Sequence, residues 1–154
     1  MSMLENVHRF ERLLTPSGDR VPIDAEMVRL IRALWALELE TAGSCQNLGE
    51  SISPGVSRVN HGGRRRHAHF YTGQAWLKMP VGDACTFLSL LGKTTVFRQR
   101  INRWTMPEAW EAFVYITMDD HGASPSTWAQ VHFPRTQINE VTERLIDEQA
   151  NRDR

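Results

Sequence analysis

The chain has 154 residues, 41% of them hydrophobic, enough for one domain with a real core and too many for wholesale disorder. Eighteen basic and eighteen acidic residues balance to zero, which argues against a general nucleic-acid coat protein. No apolar run reaches the roughly 18 residues of a membrane span, and the two cysteines, Cys45 and Cys85, form no metal-binding spacing.

The neutral total hides an asymmetry. Residues 1–50 carry five basic and eight acidic groups, residues 51–104 nine basic groups against Asp83 alone, and residues 105–154 four against nine. Positive charge is concentrated in the middle third, where a local anion site is expected. The start, with Glu5 and Glu11, lacks the apolar core of a signal peptide. Both thiols are expected to be reduced and the protein to be cytoplasmic, in a bacterial host.

Leu4, Val7 and Phe10 fit a short opening helix, although "RFERLL" fits a strand equally well. "TPSGD" is a turn. Asp24 reads as the N-cap of a helix over 25–39, in which Met27, Leu30, Ile31, Leu34 and Trp35 share one face and Arg29, Arg32 and Ala36 the other. Thr41 to Gln46 reads as a small-residue strand. Residues 47–67, with Pro54 and four glycines, read as a long basic loop. Phe70 to Met79 reads as a strand interrupted near Gly73.

Asp83 to Leu91 reads as a helix and "TTVFRQRINRW" as a second, basic one. "AWEAFVYITM" reads as a strand and "DDHGASPST" as a turn. An internal echo links 75–91 to 129–145: each is an apolar strand, a proline (Pro80, Pro134) and an amphipathic helix. The expected fold is α+β over residues 1–154: a small, mainly antiparallel sheet with helices mostly on one face and pseudo-repeated strand–Pro–helix units.

The helix followed by "TAGSCQ" resembles a pattern in small uncharacterised actinobacterial and phage proteins, where a "T-x-x-SCQ" strand precedes a strand–helix unit with an "FP" step. The resemblance covers 21–46, 75–91 and 128–145. It implies a shared fold and a phage or mobile-element accessory role, with no activity attached. A fainter similarity, through Ser44, Cys45 and Gly49, is to the tRNA wybutosine-synthesis methyltransferases, and brings no activity with it.

The most distinctive chemistry is "RVNHGGRRRHAHFY". Arg58, Arg64, Arg65 and Arg66 offer guanidinium forks to phosphate oxygens, and the glycines let backbone N–H groups approach an anion. Tyr71 and Trp76 offer stacking faces. Arg98, Arg100 and Arg103 offer a second positive wall. Ser44 and Gln46, alternating with Cys45 on a strand, would read polar edges with Glu50 nearby. His67 and His69 would add phosphate contacts.

The reading is a non-enzymatic protein holding a phosphate-bearing ligand, a nucleotide or short nucleic acid, without cofactor. An inhibitor or adaptor binding an acidic host protein is one alternative. The other is a small enzyme, either using Cys45 with His61, His67 or His69 as base or binding zinc through His67, His69 and either His61 or Cys45. No P-loop or dinucleotide fingerprint is present. Asp119, Asp120 and His121 are ordinary turn residues. Five tryptophans make a homodimer a candidate arrangement.

Overall fold

The computed structural model describes residues 8–52, 68–101 and 108–154. The chain opens as a β-hairpin, β1 (Phe10–Leu14) and β2 (Arg20–Asp24), antiparallel with Phe10 opposite Asp24. Its turn closes through Gly18, whose φ of 98° suits a residue without Cβ, with Thr15 N donating to Asp19 O at 2.7 Å. A 3-10 turn, Ala25–Met27, leads into α1 (Val28–Ala36), which buries Val28, Leu30, Ile31, Ala33 and Leu34. Asp24 makes no capping hydrogen bond with its side chain. The N-cap expectation fails there because the carboxylate is engaged elsewhere, as described below.

A four-stranded sheet has the order β3-β4-β6-β5, with every neighbour antiparallel. Its strands are β3 (Gly43–Cys45), β4 (Gln74–Pro80), β5 (Glu111–Asp119) and β6 (Gly122–Pro134). The fold is thus α+β, as the sequence pattern predicts. The expected strand over 41–46 shortens to three residues. The expected loop at 47–67 begins instead as helix α2 (Leu48–Ile52), and the expected strand from Phe70 is helical at its start, α3 (Ala68–Tyr71). Gly73, at φ 79°, turns the chain from α3 into β4. The "DDHGASPST" turn contracts to Asp120 and His121, because Gly122 already pairs with Asp119 and β6 runs on through Ser124 and Pro125.

The strand–Pro–helix echo is real in space. β4 and β6 are hydrogen-bonded neighbours, with Gln74 opposite Pro134 and Pro80 opposite Trp128. Pro80 passes directly into α4 (Val81–Leu91), and Pro134 passes through the 3-10 turn Arg135–Gln137 into α6 (Ile138–Arg152). Both prolines have φ near their fixed value and extended ψ, −52°/143° and −59°/129°, a conformation that ends a strand and starts a helix. α5 (Thr95–Arg100) follows α4.

Alternation along the strands assigns the two faces. Ala75, Leu77 and Met79 of β4 lie opposite Phe133, Val131 and Ala129 of β6, all buried and all in one core with α1, α4 and α6. Trp110 completes this core with no solvent exposure. It stacks on Phe133 at a 4.4 Å centroid distance, and its Nε1 donates to Gln137 Oε1 at 2.8 Å. Among the described residues, no helix is long and apolar enough to cross a membrane.

Candidate functional site

The other face of the sheet carries Trp76 and Lys78 from β4, Gln130 and His132 from β6, and Glu111 and Phe113 from β5, since opposed residues share a face. Phe113 stacks on His132 (5.4 Å, 10° between planes), and α3 brings the Tyr71 ring to 5.1 Å from the same imidazole. Trp76 Nε1 donates to Gln130 Oε1 at 2.5 Å, and Lys78 Nζ sits 5.6 Å from the Trp128 ring. Leu48, Tyr71, Trp76, Tyr115, Gln130 and His132 line a small, shallow cleft. Gly43 allows the Trp76 indole to lie against β3: a Cβ there would stand 2.9 Å from a ring carbon.

Tyr71 and Trp76, both expected as stacking residues, therefore meet in one cleft. Ser44 does not join them. It lies opposite Leu77 and so shares the helical face, whereas Cys45 lies opposite Trp76. Gln46 is buried and structural: its Oε1 accepts from Glu26 N at 3.1 Å, and its own N–H donates to Asp24 Oδ2 at 2.8 Å. His69 is exposed on α3, its ring 4.0 Å from that of Phe70. A shared strand face for His67 and His69 fails, because His69 is helical. Arg58, Arg64, Arg65, Arg66 and His67 lie outside the described residues, as do His61 and Arg103. Arg98 is exposed, and Arg100 is spent on Glu140 (2.9 Å) and Gln137 at the α6 side, so it builds no wall for the cleft.

The described residues on either side of 53–67 do lie beside this cleft, through Leu48 and Tyr71. α2 precedes that stretch in sequence and α3 follows it, and these two helices pack on each other. Asn47 helps to hold them, its Oδ1 accepting from Gly73 N at 3.0 Å. Gly49 lies so close to Thr72 that a Cβ would stand 2.2 Å from the Thr72 nitrogen.

A second constellation sits at the β3 end of the sheet, where three segments converge. His8 Nδ1 is 3.1 Å from Asp24 Oδ2 and 3.9 Å from Cys45 Sγ, and His8 Nε2 is 2.7 Å from Glu50 Oε2. Ser51 Oγ lies 3.1 Å from the same sulfur. Burial pushes the Cys45 thiol up to about 12; the Ser51 hydrogen bond offsets part of this, and the Asp24 charge adds to it. A thiol in that state is protonated at neutral pH, so it is no resting nucleophile. Of the bases expected for Cys45, His61 and His67 lie outside the described residues; the imidazole that the structure brings to 3.9 Å from its sulfur is that of His8. Beside this group, Arg135 holds Glu26 through two hydrogen bonds, one of 2.6 Å from Nε, and this pairing lowers the Glu26 pKa.

His8, Asp24, Gln130 and His132 were not expected as site residues. The last two had a readable signal: polar residues two apart inside the apolar run Ala129 to Phe133. His8 and Asp24 had none, because their meeting with Cys45 depends on the opening hairpin. No protein-family model matches the sequence, and no curated protein or solved structure is significantly similar to it.

Proposed function

We propose that the protein is a binding module for a phosphate-bearing ligand with a stackable ring, a nucleotide or a short single strand. The observation that carries this reading is the cleft in which Tyr71 and Trp76 meet beside Gln130 and His132 on the open face of the sheet. Aromatic faces on an open sheet stack bases at about 1–3 kcal/mol each, whatever the base. Gln130 supplies a polar edge beside Trp76. In this reading a ring stacks at the mouth of the shallow cleft, and its sugar and phosphate stay outside it. Four arginines in 58–66 supply the counter-charge.

The test is titration calorimetry at low salt with mono-, di- and cyclic nucleotides and a short oligothymidylate. Binding by at least one member, lost in Trp76→Ala and weakened in the Arg64/Arg65/Arg66→Ala triple variant, is the expected result. Heat changes indistinguishable from dilution for every member would remove the proposal.

A further inference from the structure

We propose a second, separate site: a zinc-class divalent metal centre with His8 Nδ1, Asp24 Oδ2 and Cys45 Sγ as ligands. All three donor atoms lie within 4.8 Å of one another. They come from three separate segments: the residue pair before β1, the end of β2 and the end of β3. A tetrahedral zinc ion with ordinary bond lengths would need about 3.3 Å between nitrogen and oxygen and about 3.6 Å between nitrogen and sulfur. The observed separations are 3.1 and 3.9 Å. A few tenths of an ångström of side-chain adjustment therefore fits both pairs that involve His8, and the third pair, Asp24 and Cys45, lies within the same 4.8 Å.

The chemistry of the donor set selects the ion. One sulfur, one imidazole nitrogen and one carboxylate oxygen suit zinc and its neighbours, whereas calcium and magnesium want oxygen throughout. A thiolate and a carboxylate supply two negative charges, which match a divalent cation. On binding, the Cys45 S–H bond breaks, a sulfur–metal bond forms, and the proton leaves to solvent.

The surroundings are those of a supported metal centre. Glu50 faces His8 Nε2 at 2.7 Å, the outer carboxylate that fixes a ligating imidazole with its other nitrogen toward the ion. Gln46 N–H holds Asp24 Oδ2 at 2.8 Å and orients it. The His8 and Asp24 side chains are only 7% and 11% exposed, so the ligands are already withdrawn from water. Three protein ligands leave a fourth position for water or for a substrate. The centre neighbours the proposed stacking cleft, since Cys45 lies opposite Trp76, yet it does not depend on that cleft binding anything.

The test uses the full chain carrying Cys85→Ser, because Cys85 is an exposed second thiol. Chelator-treated protein is titrated with cobalt(II) and then with zinc. One cobalt per chain, with a thiolate-to-cobalt charge-transfer band that zinc abolishes, is the expected result. Cys45→Ser removes the band, and Asp24→Asn weakens binding. Glu50→Gln, which touches no ligand atom directly, weakens it about 10-fold or more. The absence of a thiolate band at excess cobalt, in the Cys85→Ser chain and in the unaltered chain alike, would overturn the proposal, and the second of these needs no variant to fold. A band that survives Cys45→Ser would overturn it equally.

Discussion

The two faces of the four-stranded sheet are cut from the same strands and differ only in which alternate residues they present. On the helical face, β4 and β6 contribute Ala75, Leu77, Met79, Ala129, Val131 and Phe133, all apolar and all buried. On the other face they contribute Trp76, Lys78, Gln130 and His132, each able to make a directional contact. The first face does what the hydrophobic effect rewards without direction. The second keeps polar atoms and ring faces that cost stability unless satisfied. Gln130 and His132 are as buried as core residues, at 7% and 5% exposure. They interrupt the apolar run Ala129 to Phe133 on the face for which recognition is proposed.

The comparison is broken most forcefully at Trp110. It has no exposure and packs among Phe87, Phe97 and Phe133. Trp110→Ala is expected to cost about 3–5 kcal/mol, most of it for the cavity and a smaller part for the hydrogen bond lost to Gln137. If urea unfolding shows a loss no larger than that of Trp76→Ala, the division between a stability face and a recognition face is wrong.

A smaller but sharper test lies where α2 crosses the start of β4. Gly49→Ala would force a Cβ to within 2.2 Å of backbone nitrogen, an atom that cannot swing aside as a side-chain tip would. A loss of about 1–3 kcal/mol is expected. Because α2 and α3 flank the cleft, ligand binding should fall more than the stability loss alone explains. Unfolding and calorimetry on the same variant check both.

The helical side also holds a charge cluster that makes its stability depend on pH. Glu148 accepts from Lys93 Nζ and from Arg144, each at 2.7 Å. The Lys93 hydrogen bond is the main reason its pKa lies below the ordinary 4.5, with Arg144 adding to it against the opposing effect of burial. A carboxylate whose folded pKa is depressed contributes stability that is complete above the unfolded value and disappears as pH falls through the folded one. Glu148→Gln is therefore expected to cost about 1–2 kcal/mol at pH 7. That difference should shrink as the pH is lowered from 4.5. Denaturant midpoints across this range check it; a difference independent of pH would mean the pairing contributes nothing as a charge.

Much of the helical face was legible in the sequence. The three- and four-residue recurrence from Met27 to Trp35, and the two strand–Pro–helix segments, each report one physical period, and nothing in the tertiary structure opposes them. The face proposed for recognition was legible only in part. Trp76 was readable because it sits at an alternate position of a clear strand. Tyr71 was assigned to the same strand, yet it reaches the cleft from a helix, since Gly73 turns the chain between them. The His8–Asp24–Cys45 corner was opaque for a different reason. Asp24 reads locally as a helix cap, and only the register of β1 on β2 and the arrival of Gln46 N–H give its carboxylate another use.

The finest test of the comparison is Lys78. It is a charge on the face proposed for recognition, opposite Gly43 and over the Trp128 ring at 5.6 Å. A partly exposed cation over an aromatic face is worth about 0.5–1 kcal/mol, so Lys78→Gln should barely change unfolding. If the open face binds a nucleic-acid strand whose phosphates pass near Lys78, the same substitution removes about one counter-ion's worth of salt dependence from binding. Affinity for oligothymidylate measured at several salt concentrations separates the two effects. An unchanged salt slope would confine the phosphates to the arginine-rich segment and leave Lys78 as packing for Trp128, which would move the boundary between stability and recognition from the face as a whole to the half of it nearest α3.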